Sequence, residues 1–227
     1  MLLAAILSSC TKEIVPGEIV ATSRIVAPFA AVKASDGFLV DILRGNRQEV
    51  VVEAPEGFQD LIYTSVVEGE LRIELDRSID PRDLPRKRVF IVVPYLNSVT
   101  AHSGAAIYGV GIWDAPQFYV DVDGGSYAEV NVGTNLLNLW ASGGSEVKLT
   151  GEVQQLYADE ISGNSHVYAY RLLTGQATLN LSGSSYVETT CVGLLNVSAS
   201  GGSTVKYLGY PQVIHSLTGG SQVIDAN

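Results

Sequence analysis

The nine residues Ala141-Ser142-Gly143-Gly144-Ser145-Glu146-Val147-Lys148-Leu149 contain the pattern that decides the fold: a small residue, Ser-Gly-Gly-Ser, any residue and then Val. Variants of this pattern occur six more times beyond residue 100. The apolar residue that closes each copy lies at position 107, 128, 147, 167, 187, 205 or 223, so successive copies are 21, 19, 20, 20, 18 and 18 residues apart. A motif that keeps this spacing indicates a solenoid, whose coils stack because one coil cannot bury its own apolar face.

Apolar residues alternate with outward-facing ones on both sides of the glycine pair. Leu139 and Ala141 precede the pair, and Val147 and Leu149 follow it. This alternation predicts half-buried strands, and the glycines predict a turn with positive φ. A second glycine in most copies, such as Gly151, predicts a second turn. We therefore expect an all-β solenoid with coils of about 20 residues, each built from two or three short strands.

One serine follows each glycine pair, and these serines are expected to stack as a column: Ser126, Ser145, Ser165, Ser185, Ser203 and Ser221. Hydroxyls about 5 Å apart can satisfy each other and the turn amides. A nucleophilic serine needs a base nearby, and no base recurs at a fixed offset from these residues. The column is therefore predicted to be structural.

An eighth copy of the motif lies upstream, at residues 34–42, and residues 43–100 break the repeat. This interval predicts a small α+β excursion with strands at 49–54, 70–75 and 89–93, and a helix that begins at Pro55 and ends at Gly69. The excursion is expected to cap one end of the solenoid. Residues 28–227 are accordingly predicted to form a single domain.

The N-terminus has an apolar run that ends at Cys10, and Leu7-Ser8-Ser9-Cys10 resembles a bacterial lipobox. In such signals the cysteine becomes the lipidated first residue of the mature protein. Residues 1–10 are therefore predicted to be a signal remnant and residues 11–27 a tether. The alternatives are an ordinary signal end, an apolar start that is not a signal, and a Cys10–Cys191 disulfide. With Cys10 lipidated, Cys191 is expected to be a buried thiol. The protein is expected to be exported, as an outer-membrane or cell-surface lipoprotein of a Gram-negative bacterium.

Net charge argues against nucleic acid as a partner, because 24 acidic residues outnumber 14 basic ones and phosphate binding needs a basic face. One stretch is nevertheless basic. It has two interpretations, a site for an anionic glycan or lipid headgroup and a solvated charged loop. Its candidate anion contacts are Arg82, Arg86, Lys87 and Arg88.

A carbohydrate-active enzyme on this fold needs carboxylates that converge on adjacent coils. The candidates lie at different offsets within their repeats, so convergence is not expected: Asp121, Asp123, Glu129, Glu146, Glu152, Asp159, Glu160 and Glu188. Asp159-Glu160 predicts a bulge or a solvated turn. The three histidines, His102, His166 and His215, also lie at different offsets, so no metal site and no cofactor are predicted.

A strip of tyrosine, histidine and lysine is expected on the outward face of the strand that follows the glycine turn: Tyr127, Lys148, His166, Tyr168, Tyr186 and Lys206. Such a strip is typical of a flat surface that binds a glycan or a protein. The alternative is that these are ordinary surface side chains of a strand.

Several segments, in this order, carry a family resemblance: 29–37 (Phe-x-x-Val-Lys-Ala-Ser-Asp-Gly in type), Val52-Glu53-Ala54-Pro55-Glu56, the Val-Pro-x-Leu-x-Ser-Val stretch 93–99 and the Ser-Gly-Gly-Ser turns. The chain thereby resembles, over about residues 28–226, the bacterial family described as "putative auto-transporter adhesin, head GIN domain". The resemblance implies a right-handed β-helix-like fold, export and a lipid anchor, and no catalytic residues carry over. The leading expectation is a non-enzymatic adhesin; the alternatives are an envelope scaffold and a pectinase-like enzyme.

Overall fold

A computed structural model describes residues 16–84 and 86–227. Within these residues strands dominate, and we found no helix long and apolar enough to cross a membrane. The first eight strands are β1 (Ile19–Ser23), β2 (Ala31–Ala34), β3 (Leu39–Arg44), β4 (Glu49–Pro55), β5 (Ile62–Val67), β6 (Glu70–Leu75), β7 (Arg88–Val93) and β8 (Ser98–Ala101). The next eight are β9 (Ala106–Val122), β10 (Tyr127–Ala141), β11 (Glu146–Ile161), β12 (His166–Leu181), β13 (Tyr186–Ala199), β14 (Thr204–Leu208), β15 (Gln212–Leu217) and β16 (Gln222–Asp225).

The repeat forms a β-solenoid of about seven turns, which confirms the predicted fold. Strands β9 to β13 pair in parallel with their neighbours, and β14 to β16 continue the stack. The apolar residues that define the spacing are register partners, as Ala128 is of Val147 and Val147 is of Val167. These residues form one column of the core and are fully buried up to Val205, whereas Val223, in the last coil, is partly buried.

The second corner of each coil differs from the prediction of separate short strands. In β10 and β11 the parallel ladder runs through Gly133 and Gly151, so each of these coils is one long strand that bends, whereas β14 and β15 of the following coil remain separate. A Cβ on Gly151 would lie 2.1 Å from the Val132 carbonyl oxygen. Glycine therefore lets the backbone bend at this corner while the coil-to-coil hydrogen bonds are kept.

The Ser-Gly-Gly-Ser turn has positive φ at both central residues, as predicted, with 66° at Gly143 and 78° at Gly144. The two positions differ in the space around them. A Cβ on Gly143 would lie 2.9 Å from the Gly124 backbone nitrogen of the preceding coil, whereas one on Gly144 would have nothing within 4 Å. The position equivalent to Gly144 is occupied by Asn164 in the next turn, where φ is also positive.

The serine column is structural, as expected, although its hydrogen bonds go to the backbone and not to other hydroxyls. The Ser165 hydroxyl donates to the Ser162 carbonyl at 2.8 Å and accepts the Ser145 backbone N–H at 3.2 Å. Ser203 repeats both bonds, and Ser185 repeats the donation to the carbonyl three residues before it. The column therefore joins several adjacent turns.

The eighth copy is confirmed, because β2 and β3 pair in parallel with β8 and β9. The excursion adds a further coil below it, with β6 beside β2 and β7 beside β3. Antiparallel strands then cover this end: β4 and β1 beyond β7, and β5 beyond β6. The excursion is thus a cap, as predicted, and it also extends the solenoid.

Two local expectations were wrong. Of the helix predicted from Pro55 to Gly69, only a 3₁₀ segment at Glu56–Leu61 is present. The rest of that stretch is β5, whose Ile, Thr and Val residues favour a strand, and it pairs with β6. A second 3₁₀ turn is Pro81–Asp83. The predicted tether at 11–27 is too long at its C-terminal end, because β1 pairs with β4 from Ile19 to Ser23.

Candidate binding face

Outward residues after the glycine turn form two parallel columns across β10 to β14. The intervening Ala or Val residues are buried, so both columns point outward. We call these ten residues the binding face: Tyr127, Glu146, His166, Tyr186 and Thr204 in the first column, and Glu129, Lys148, Tyr168, Glu188 and Lys206 in the second. All six residues of the predicted strip are among them.

One end of the binding face is a cluster of Tyr127, Glu129 and Lys148. The Tyr127 hydroxyl donates to Glu129 Oε2 at 2.6 Å, and Lys148 Nζ lies 5.1 Å from the centre of the Tyr127 ring. Burial and the hydrogen bond to Glu129 raise the pKa of Tyr127 to about 12. Contacts with Tyr127 and with Glu146, at 3.2 Å, raise the pKa of Lys148. Near neutral pH the tyrosine is therefore neutral and the lysine charged.

The other end repeats this arrangement with Tyr186, Glu188 and Lys206. The Tyr186 hydroxyl donates to Glu188 Oε1 at 2.8 Å, and Lys206 Nζ lies 5.5 Å from the Tyr186 ring centre. Burial, followed by the bond to Glu188, raises the pKa of Tyr186. Three strand spacings separate the two clusters, roughly 14 Å.

His166 and Tyr168 lie between the two clusters. The His166 ring is 6.3 Å from the Tyr168 ring and 5.9 Å from the Tyr186 ring, measured between centroids. Tyr168 and Tyr186 are 6.3 Å apart. The middle of the face is therefore a continuous aromatic surface with a charged tyrosine cluster at each end.

Sequence reasoning missed the two glutamates that accept the tyrosine hydroxyls. The signal was present, because Tyr127 and Tyr186 are each followed two residues later by glutamate. Alternation places both members of such a pair on one side of a strand.

The basic run does not form a common site. Arg82 pairs with Asp80 and Arg86 with Glu53 at 3.1 Å. Lys87 Nζ donates to the carbonyls of residues 81 and 84, and Arg88 pairs with Asp41 at 2.7 Å. Each of the four cations is thus engaged within the protein, and we propose no anion site here.

Of the two cysteines, Cys191 lies within the described residues. Cys10 lies outside the described residues. Cys191 is fully buried, as expected, and burial raises the pKa of its thiol. The Cys191 Sγ lies 3.4 Å from the Leu194 carbonyl oxygen.

Of the two predictions about the carboxylates, one is confirmed and one is wrong. Asp159 is the extra residue of a bulge in β11, and both Asp159 and Glu160 are exposed, so that prediction is confirmed. The expectation that the carboxylates do not converge was wrong for three of them, since Asp121, Asp123 and Glu160 line one cleft before the glycine turn. In the described part of the chain, no group of three or more His, Cys, Asp or Glu is placed to hold a metal ion.

Comparisons with solved structures support the fold. A putative adhesin from Bacteroides fragilis has 17% identity and a TM-score of 0.82, covering 92% of this chain and 96% of its own. A putative adhesin from Parabacteroides merdae has 13% identity and a TM-score of 0.72, covering 91% and 95%. A putative lipid binding protein from Parabacteroides distasonis has 13% identity and a TM-score of 0.73, covering 91% and 96%.

A comparison of the sequence with curated proteins gave no significant match. The family model described as "putative auto-transporter adhesin, head GIN domain" matches residues 28–211, which include the coils that carry the binding face and all of the cap except β1. The chain therefore belongs to this family.

Proposed function

We propose that this protein is a non-enzymatic adhesin of the cell envelope that binds a glycan or a protein through the binding face. The observation that carries the proposal is the convergence of tyrosine, histidine and lysine from five adjacent strands on one side of the solenoid. Adhesin-type relatives support a location at the cell surface or in the envelope.

The chemistry of the face favours binding over catalysis. Its carboxylates are already engaged by tyrosine hydroxyls or lysine, as Glu129 is by Tyr127 and Glu146 by Lys148. These contacts hold the aromatic rings in place, so that less side-chain entropy is lost on binding. Tyrosine is also among the residues that contribute most binding energy at interfaces.

Anchoring at Cys10 is part of the same proposal and rests on the lipobox-like sequence. A lipid at this residue would tie the capped end of the solenoid to a membrane, because β1 enters the cap. The coils that carry the face lie further along the stack. The protein would then present the face away from its anchor.

The test is binding of the purified protein to an array of glycans and extracellular proteins, followed by titration of the hits. Substitution of both Tyr127 and Tyr186 by Ala should weaken binding by at least tenfold, since one such side chain contributes about 2 kcal/mol at a typical interface. The matched control is Tyr95→Ala with Tyr210→Ala, two exposed tyrosines elsewhere, which should leave binding unchanged.

Two results would contradict the proposal. Binding that survives loss of both face tyrosines would place the site elsewhere. A protein that binds no glycan and no protein on the array would favour the alternative of an envelope scaffold.

A further inference from the structure

A second surface feature lies apart from the binding face, on the strand segments that precede the glycine turn. It is a cleft of about 500 Å³ across β8 to β11, within the size range of small-molecule sites. Its lining includes Tyr119, Trp140, His102, Asp121 and Glu160. We propose that this cleft binds a neutral sugar ring of an oligosaccharide.

The aromatic part of the cleft comes from neighbouring strands. The Tyr119 and Trp140 rings are nearly parallel, with 7° between their planes and 6.4 Å between their centroids. Tyr119 is 38% exposed, and Trp140 is half-buried. An aromatic face carries partial negative charge and attracts positively polarised C–H groups, which a pyranose presents on its flat faces.

Acceptors flank the aromatic part on both sides. Trp140 is the register partner of Asp121 on β9 and of Glu160 on β11, so these two residues occupy the adjacent strands on either side, about 4.8 Å apart from it along the stack at the backbone. The bulge at Asp159 produces this arrangement, because it brings Glu160 and not Asp159 opposite Trp140. Ionised carboxylates accept hydrogen bonds only, which suits the hydroxyl donors of a sugar.

Hydrogen bonds within the protein orient these groups. Asp121 Oδ2 lies 3.3 Å from His102 Nε2, and Glu160 Oε1 accepts the Ser162 hydroxyl at 2.9 Å. Asp123 Oδ1, at the rim, accepts the Ser142 hydroxyl at 3.1 Å. Each carboxylate keeps lone pairs for a ligand.

The charge of the cleft selects the class of sugar. Among the described lining residues, three carboxylates accompany a single basic side chain, His102. Like charges repel at such short range, so a uronic acid or another anionic sugar is disfavoured. A neutral hexose or N-acetylhexosamine satisfies the donors and acceptors without that cost.

Tryptophan fluorescence provides a direct test, because the chain has two tryptophans and Trp113 is 1% exposed. A change on ligand addition therefore reports on Trp140. Hexasaccharides of glucose, mannose and N-acetylglucosamine are the probes, with hexagalacturonate as the anionic comparison. We expect saturable binding of at least one neutral hexasaccharide and weaker binding of the anionic one.

Calorimetry with variants localises the site. Trp140→Ala should abolish binding and the isosteric Asp121→Asn should weaken it severalfold, while Tyr127→Ala with Tyr186→Ala should leave it unchanged. This last variant separates the inference from the proposed function of the binding face. Circular dichroism checks that each variant keeps its fold. If Trp140→Ala destabilises the protein, Asp121→Asn still tests the site, because it leaves the side-chain volume unchanged.

Three outcomes would overturn the inference. The first is no saturable binding of any neutral hexasaccharide, and the second is binding that Trp140→Ala and Asp121→Asn leave intact. The third is recovery of shortened oligosaccharide after incubation, which would make the cleft an active site and not a binding site.

Discussion

The two glycines of each turn have different reasons to be glycine. Both have positive φ, which costs any other residue about 1–2 kcal/mol. Only the first one also lies against the backbone of the coil before it, as Gly143 does against Gly124. In the middle turns the sequence reflects this difference, because Asn164 and Ser184 replace the second glycine while Gly163 and Gly183 keep the first. In the two turns nearest the cap the first position is instead Asp36 or Ser103, also with positive φ.

Gly143→Ala should therefore destabilise the protein more than Gly144→Ala. Positive φ lowers the free energy of unfolding of both variants. Gly143→Ala lowers it by about 1–3 kcal/mol more, because the added Cβ comes close to the Gly124 backbone. Urea unfolding of the two variants beside the unmodified protein measures the difference. Equal free energies of unfolding for the two variants would contradict the packing argument.

At the scale of elements, the loop between β6 and β7 is held by its own charges. Asp80 caps the 3₁₀ turn Pro81–Asp83 by accepting the Arg82 backbone N–H at 2.9 Å, and it also binds the Arg82 guanidinium. The side-chain and backbone hydrogen bonds from Arg82 lower the pKa of Asp80 to about 2. Because this pKa is lowered by folding, its stabilisation is present above the ordinary value near 4 and is lost as pH falls through about 2.

An NMR titration of the Asp80 carboxyl carbon should therefore give a midpoint near pH 2. Arg82→Gln should move that midpoint upward, because the guanidinium bonds are lost. Arg77→Gln, a nearby exposed residue on the same loop, is the control and should leave it in place. A midpoint near 4 in the unmodified protein would show that the cap does not form.

The same scale shows why the sequence predicted some elements and not others. The alternation around Gly143 depends on local pattern alone, and it correctly predicted the strands on both sides of the turn. The stretch at Ile62–Val67 has apolar residues at helical spacing as well, yet pairing with β6 made it a strand. The partner follows directly after the two-residue turn Glu68-Gly69, where both residues have positive φ, so the hairpin decided between helix and strand and the spacing of apolar residues alone did not.

The cleft shows how far a functional site can be predicted from the sequence repeat. The residues of the binding face share offsets within the repeat, so the sequence predicted that they lie together. Asp121, Trp140 and Glu160 also share an offset, three residues before the first glycine of their turns, so this part of the cleft was visible in the repeat. The parallel packing of the Tyr119 and Trp140 rings and the contact of His102 with Asp121 depend on side-chain conformation, which periodicity cannot reveal.

At the scale of the whole molecule, stability is distributed along a stack in which each coil contacts its neighbours. The strands from β9 to β13 pair in parallel over most of their length, with one or two register shifts in each pair. At the N-terminal end of the stack, the antiparallel strands of the cap cover the outermost coil. A coil in the middle should therefore be dispensable for folding.

Deletion of residues 162–181, one turn and the whole of β12, should give a shorter folded solenoid. Ile161 and Leu181 are register partners, so the chain can rejoin without a shift. Deletion of residues 162–171 alone removes the turn and half a strand, and should unfold the protein. Circular dichroism and thermal melting distinguish the two, and an unfolded product of the 20-residue deletion would contradict the stacking account.

For the whole molecule we propose that a lipid at Cys10 holds the solenoid at the cell surface with its binding face outward. Metabolic labelling with an alkyne fatty acid, combined with protease treatment of intact cells, tests it most directly. We predict labelling that Cys10→Ser abolishes and Cys191→Ala preserves, and cleavage of the protein on intact cells. An unlabelled protein, or a labelled one that the protease reaches only after the cells are broken, would contradict the claim.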